Sequence, residues 1–404
     1  MNKVSVSDIN FRSQKVLLRV DFNVPLDSQG HITDDRRIRE VLPTIRKILE
    51  DGGIVIVCSH MGRPKGKPKA EFSLKSVAGR LSQLLEQDVL FAEDCIGPEA
   101  SNLADTLKEG DCLLLENLRF HPEEEANDPE FARKLASLAN IYVNDAFGSA
   151  HRAHASTTGV TAFFKQSVAG LLLEKELQYL GQTLRNPKRP FAAILGGAKI
   201  SGKIEVIKNL LDKIDDLYLG GGMIFTFGKA LGFEIGDSLV ENDKIELAKE
   251  LLNEFKQSDV NVHFPTDVVA AQEMSETADI RVVPFSKIPP GFRGLDIGPD
   301  TINSFSGALI ESKTIFWNGP MGVFELKSFS RGTLEIALLL AELTDKGAIT
   351  IVGGGDSAAA VAQAGLDDRL THISTGGGAS LEFLEGKKLP GVEALTDLPR
   401  VQTV

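Results

Sequence analysis

Cysteine is scarce: Cys58, Cys95 and Cys112 are the only three in 404 residues. Their number is odd and no two form a C-x-x-C spacing, which argues against a disulfide framework or a structural zinc site. Three reduced, mostly buried thiols are expected. Long apolar runs are also missing. None approaches the ~18 residues that span a bilayer, so no membrane partner is expected. The stretch Met1 to Asn10 is polar and lacks the charged-then-apolar order of a secretory signal, so the expected location is the cytoplasm. Basic residues are in deficit: 44 against 56 acidic, a net charge of -12. That balance disfavours nonspecific binding to nucleic acid or membrane, and it makes any local cluster of arginines more informative. No short repeat or low-complexity tract occurs.

What the chain does contain is alternation. Short strand-like runs occur at Lys15–Val20, Ile54–Cys58, Cys112–Glu116 and Ile141–Asn144. They recur at Phe191–Leu195, Asp216–Leu219, Val262–Phe264, Thr314–Trp317, Ile349–Val352 and His372–Ser374. Helical stripes lie between them, as in Leu74, Val77, Ala78, Leu81 and Leu85, and in Ile245, Ala248, Leu252 and Phe255. This order predicts an α/β fold with parallel sheets covered on both faces. The length suits two domains. Leu173, Leu177, Leu180 and Leu184 keep helical spacing until Asn186-Pro187 ends the run, near mid-chain. That segment is read as a helix joining the domains. The expected division is 1–170 with the tail 389–404, a helix at 171–186, and 187–388.

In open parallel sheets ligands bind beyond the carboxyl ends of the strands. The two halves differ in what stands there. In the first half the residues are polar and basic: Asp21-Phe22-Asn23, then Ser59-His60-Met61-Gly62-Arg63, Asn117-Leu118-Arg119, and Asp145 followed by His151-Arg152. Arg36, Arg37 and Arg39 follow the first strand. Guanidinium forks match carboxylate and phosphate oxygens and stay charged in a cleft, so arginines at successive strand ends point to a polyanion.

In the second half the strand ends carry glycine. The turns are Gly196-Gly197, Gly220-Gly221-Gly222, Asn318-Gly319-Pro320-Met321-Gly322, Gly353-Gly354-Gly355-Asp356-Ser357 and Gly376-Gly377-Gly378. Glycine lets backbone N–H groups approach phosphate, and a following helix N-terminus adds favourable potential. Gly197 to Lys203 has P-loop spacing, but Ile204 stands where Ser or Thr is needed, so a true P-loop is rejected. Lys199 and Lys203 would share a face if helical and could bind phosphate as point charges. Asp356 is the magnesium candidate, since that ion often takes one or two carboxylates beside nucleotide phosphates. A nicotinamide-dependent dehydrogenase is disfavoured because Met223, Ile224 and Phe225 follow the triple glycine, leaving no third fingerprint glycine. A non-enzymatic nucleotide sensor would tolerate loss of Arg36 or Lys203.

These motifs resemble those of phosphoglycerate kinases along nearly the whole chain. The matching segments are RVDFNVP (Arg19–Pro25), SHMGRP (Ser59–Pro64), ENLRFHPEEE (Glu116–Glu125), NDAFGSAHRAH (Asn144–His154), LGGAKISGK (Leu195–Lys203), FWNGPMGVFE (Phe316–Glu325), GGGDS (Gly353–Ser357) and STGGGASLE (Ser374–Glu382). Met61, where leucine is more usual, and the Ser201-Gly202 spacer depart from the pattern without removing a charge. The resemblance implies two Rossmann-like domains with a C-terminal tail returning to the first. It implies a monomer acting on small molecules in glycolysis: 1,3-bisphosphoglycerate and ADP interconvert with 3-phosphoglycerate and ATP, with Mg2+. Carried over by position, Asp21, Asn23, Arg36, His60, Arg63, Arg119 and Arg152 would bind the phosphoglycerate. Gly196, Gly197, Gly221, Gly294, Asn318, Pro320 and Glu325 would surround the nucleotide, with Glu325 at the ribose. Lys199, Lys203, Gly354, Gly355, Asp356 and Ser357 would hold its phosphates, with Asp356 on the metal. Arg36, Lys199, Lys203, Gly376 and Gly377 would serve the transferring group. Hinge closure is expected at the Leu173–Leu184 helix and the Ser374–Gly376 turn.

Overall fold

A computed structural model describes residues 3–399, without the side chains of 182–184. Contacts divide the chain into two units, Met1–Gln178 with Lys388–Val404, and Tyr179–Lys387.

The first unit is built on six strands: β1 (Lys15–Arg19), β2 (Ile54–Cys58), β3 (Val89–Ala92), β4 (Cys112–Leu115), β5 (Ile141–Asn144) and β6 (Ser167–Ala169). Their order across the sheet is β3-β4-β2-β1-β5-β6, and every pairing is parallel. The apolar runs of the central strands are continuous because helices cover both faces. All five residues of IVIVC in β2 are buried. Each such Val or Ile contributes about 1.5–3 kcal/mol relative to exposure. The stripe from Leu74 forms the helix Lys75–Leu85, with Val77, Ala78 and Leu81 against the core. β3 and β6 escape the sequence reading. β3 is a half-exposed edge strand, with Leu90 42% exposed, and β6 has only three residues.

The tail returns to this unit. Gly391 N donates to Ala150 O at 2.8 Å, Thr396 N to Ser167 O at 2.8 Å and Val4 N to Thr396 O at 2.9 Å. Residues 400–404 of the expected tail lie outside the described residues. The helix Leu171–Arg185 starts in this unit and runs into the second. Leu173, Leu177 and Leu180 are buried; the side chain of Leu184 lies outside the described set. The buried carboxylate of Asp145 accepts from Leu173 N at 2.9 Å, so the end of β5 holds the first turn of this helix. Burial pushes that carboxyl up to about 7, against the pull of Thr44 and of the Leu173 and Leu172 N–H groups.

The second unit carries another six-stranded parallel sheet, in the order Asn261–His263, Asp216–Leu219, Phe191–Leu195, Thr314–Asn318, Ile349–Gly353, His372–Ile373. Trp317, Phe305 and Leu340 lie within its core cluster. The stripe from Ile245 forms the helix Ile245–Gln257. A three-stranded antiparallel sheet of Asp267–Ala271, Ile280–Pro284 and Arg293–Ile297 was not foreseen. Ile280–Pro284 is its exposed edge, with almost no buried face to give periodicity. All three cysteines are buried and unpaired. Burial pushes the Cys58 thiol up to about 12, which disfavours its reactive thiolate form.

Candidate functional site

In the first unit the carboxyl ends of β1, β2, β4 and β5 bring several expected residues together. Asn23 Oδ1 accepts from Gly62 N at 2.8 Å. Arg119 Nη1 donates to Gly62 O at 2.9 Å. One glycine on the β2 loop is thereby tied to the ends of both flanking strands. Asp21 lies 3.9 Å from His60 Nδ1 and 2.9 Å from Arg37 Nη1. Burial opposes ionisation of Asp21, but Arg37, Arg19 and the Asn23 N–H prevail and hold its carboxyl below the ordinary range. Burial, with Arg19 and Arg119 nearby, keeps the His60 imidazole well below its usual value despite Asp21. Arg152 Nε is 3.1 Å from His151 Nε2. Arg63 is exposed on the β2 loop. Arg36 opens the helix Arg36–Arg39, its guanidinium 3.9 Å from Asp34.

Arg119 is the most telling residue. Its side chain is 4% exposed, yet Nε and Nη2 have no hydrogen-bond partner. Glu125 stands 3.3 Å away. Burial brings the guanidinium down to about 10, Glu125 resists, and Arg19 and Arg152 add to the depression. A buried cation with open donors and cationic neighbours is costly, and an anion would satisfy it.

Sequence reading missed the layer beneath. Arg19 is fully buried, donating from Nε to Ser156 Oγ at 2.8 Å and also to Val20 O. Ser156 donates to the fully buried Glu124 from N at 2.9 Å and from Oγ at 2.6 Å. The available signal was an arginine ending an apolar strand, which requires buried partners. Glu124 sits in a run of three glutamates that reads as a solvated face.

In the second unit the five glycine turns stand side by side because their strands are neighbours. Four of them are stitched together. Gly197 N donates to Pro320 O at 2.9 Å, Gly221 N to Met321 O at 3.0 Å and Met223 N to Gly197 O at 3.1 Å. Ser357 Oγ accepts from Gly319 N at 2.6 Å. Ser357 and the Pro320 carbonyl therefore join loop to loop. A Cβ on Gly196 would lie 2.2 Å from Pro320 O, and one on Gly221 2.4 Å from Gly197 N. These two glycines are required by close loop packing, a reason the sequence did not reveal. Gly355 and Gly377, by contrast, face open space. Gly376 N donates to Ser374 Oγ at 3.1 Å. Gly294 belongs to the antiparallel sheet, its N–H 3.0 Å from Ser238 Oγ. Glu325 is exposed.

Lys199 and Lys203 do not share a helical face. A 3-10 turn, Ile200–Gly202, separates them, and the α-helix starts only at Ile204. Lys199 is exposed. Lys203 is 9% exposed and donates to Asn318 Oδ1, while Asn318 Nδ2 has no partner. Burial brings the Lys203 ammonium down to about 8, with Asp356 pulling the other way. Asp356 lies exposed in the first turn of the helix Gly355–Gln363, whose N-cap is Gly354.

A protonation consequence follows from Lys203. Above about pH 8 the free protein holds it neutral, and a bound phosphate restores its charge. Nucleotide binding at about pH 9 is therefore expected to take up close to one proton more in wild type than in Lys203→Arg. At about pH 7 the two proteins should match. Calorimetry in buffers of different ionisation enthalpy measures this, and equal uptake at the higher pH would contradict it.

Residues 6–387 match the family model described as phosphoglycerate kinase. The chain belongs to the phosphoglycerate kinase family. It is similar to the phosphoglycerate kinase of Chlorobium phaeobacteroides, with 61% identity over 397 residues, covering 98% of this chain and all of that one. The phosphoglycerate kinase of Prosthecochloris aestuarii is 60% identical with the same coverage. Among solved structures, that of phosphoglycerate kinase from Coxiella burnetii superposes with a TM-score of 0.87 at 41% identity, over 97% of this chain and 98% of the other. The Pyrococcus horikoshii phosphoglycerate kinase gives 0.84 at 33% identity with the same coverage. As a phosphoglycerate kinase the chain is a phosphotransferase of glycolysis, acting on small molecules with a nucleotide substrate. No helix among the described residues is long and apolar enough to cross a membrane.

Proposed function

We propose that the first unit binds the phosphoglycerate and the second the nucleotide, in the reversible exchange of a phosphoryl group between 1,3-bisphosphoglycerate and ADP. The observation that carries the first assignment is Arg119, buried with Nη2 lacking a hydrogen-bond partner and Nε held only by the ion pair to Glu125. Asp21, Asn23, Arg36, His60, Arg63 and Arg152 complete that ligand set. Lys203 supports the second assignment: a buried ammonium beside Asn318 and the helix start at Asp356. Gly196, Gly197, Gly221, Gly294, Pro320, Glu325, Gly354, Gly355 and Ser357 frame the nucleotide around it.

Asp356 suits Mg2+. It offers one exposed carboxylate at the head of a helix among the glycine loops, and this ion commonly takes one or two carboxylates with nucleotide oxygens. When bound, the ion would neutralise phosphate charge.

No general base is required. The attacking atom is a phosphate oxygen of ADP in one direction and the carboxylate of 3-phosphoglycerate in the other. Both are anions at neutral pH, so alignment and charge neutralisation do the catalysis. His60, kept neutral by burial, orients rather than shuttles protons. Arg36, Lys199 and Lys203 clamp the transferring oxygens, assisted by N–H groups at Gly376 and Gly377. In-line transfer needs reacting atoms ~3–3.5 Å apart. Since the ligand sets belong to different units, turnover requires those units to approach, which also keeps water from the acyl phosphate. The helix Leu171–Arg185 and the Ser374–Gly376 turn are the proposed hinges. The enzyme acts as a cytoplasmic monomer without nucleic-acid partners.

The test is ADP formation from ATP, magnesium and 3-phosphoglycerate in a coupled assay. Arg36→Ala should lower turnover at least roughly 100-fold while changing nucleotide affinity less than about threefold. Near-normal turnover in that variant would contradict the clamp.

A further inference from the structure

Among the described residues, one group of His, Cys, Asp and Glu side chains stands close enough to hold a metal ion, and it lies outside the ligand sets above. The ligand atoms of Asp94, Cys95 and His121 all fall within 4.8 Å of one another. The fold assembles them from two loops. Asp94 and Cys95 follow β3, and His121 follows the 3-10 turn Leu118–Phe120 beyond β4. β3 and β4 are paired strands, with Ala92 opposite Leu115, so their carboxyl-end loops are neighbours. His121 Nε2 lies 2.7 Å from Asp94 Oδ1, which also accepts from Cys95 N at 2.6 Å.

The surroundings differ on the two sides. Cys95 is buried, 1% exposed. Asp94 and His121 are half-exposed and line a cleft of about 800 Å³, together with Phe91, Glu116, Lys69 and Lys75. One thiol, one imidazole and one carboxylate form a donor set that Mg2+ and Ca2+ do not favour, since both take oxygen ligands. A borderline-soft, d10 ion such as Zn2+ takes sulfur, nitrogen and oxygen at about 2.0–2.3 Å. Metal bonds would replace the link between Asp94 and His121. Three protein ligands leave a tetrahedral ion one open position, and two of these three line the cleft.

We infer that Asp94, Cys95 and His121 form a zinc site whose fourth position faces this cleft and takes water or a small anion. The sequence reading argued against a structural zinc site from the number and spacing of the cysteines. This one has a single thiol, and its histidine reaches it through strand pairing rather than local spacing. It also touches the enzyme's own chemistry. His121 is the N-cap of the helix Pro122–Glu125, whose Glu125 pairs with Arg119 and whose Glu124 holds Ser156. Zinc would fix the segment that carries Arg119.

The full chain, stripped of metal with a chelator, is titrated with Co2+ alone and then with Zn2+. One Co2+ per chain should bind with a sulfur-to-cobalt charge-transfer band, and Zn2+ should displace it. Cys95→Ser should abolish the band. His121→Gln and Asp94→Asn, at half-exposed positions, should fold normally by circular dichroism and weaken zinc binding at least roughly tenfold. Absence of the band would overturn the site. So would a band lost in Cys58→Ser or Cys112→Ser instead, or wild-type zinc affinity in His121→Gln. If Cys95→Ser fails to fold, the His121→Gln affinity decides alone.

Discussion

Replacing Lys203 by methionine is expected to lower kcat by roughly 10²–10³, the usual cost of removing one preorganised charge stabiliser. The side chains are similar in length, so the buried stem keeps its packing. What disappears is the ammonium beside Asn318. Folding should not suffer, because a buried cation depressed to about 8 by its surroundings gives way to an apolar chain. The loss should fall on turnover more than on nucleotide affinity, since charge on the transferring group grows in the transition state. Steady-state kinetics beside direct ADP binding separates the two. Equal losses in both would reduce Lys203 to a ground-state phosphate ligand.

Replacing Arg119 by leucine should separate stability from function. The guanidinium is buried, with Nε and Nη2 lacking hydrogen bonds and Arg19 and Arg152 raising its cost. Its removal leaves Glu125 half-exposed and free to rehydrate, while Gly62 O loses one donor. Unfolding free energy should stay level or rise by about 1–2 kcal/mol, as when apolar residues replace buried charges. Phosphoglycerate binding should weaken by about 2–4 kcal/mol, or roughly 30- to 1,000-fold, the cost of truncating a desolvated charge contact. Denaturant titration and calorimetry with 3-phosphoglycerate check the two halves. A strongly destabilised variant would make Arg119 a structural ion pair.

The legible part of this fold was its buried framework. Ile54–Cys58, Ile141–Asn144, Phe191–Leu195 and Asp216–Leu219 match the expected strands residue for residue, because burial on both faces leaves an unbroken apolar run. Val89–Ala92 and Ile280–Pro284 were missed because edge strands write no such run. At the site, residue type was readable and partnership was not. Arginines at strand ends pointed to an anion. That Arg37 pairs with Asp21, and that Arg19 rests on Ser156 and Glu124, depends on which strands are neighbours. The glycines show the same limit. Their position at strand ends was visible, whereas the interlocking that makes Gly196 and Gly221 obligatory joins loops distant in sequence. Lys199 and Lys203 were spaced for one helical face, and a 3-10 turn at Ile200–Gly202 parts them.

The division of ligands between two units is the centre of this account. It is tested most directly by mapping backbone amide shifts of the isotope-labelled full chain with 3-phosphoglycerate alone and with ADP alone. The first should perturb the loops at Asp21–Asn23, His60–Arg63, Asn117–Arg119 and His151-Arg152. The second should perturb Gly196–Lys203, Asn318–Gly322 and Gly354–Ser357. A nucleotide that acts chiefly on the arginine loops, or a phosphoglycerate that acts chiefly on the glycine loops, would contradict it.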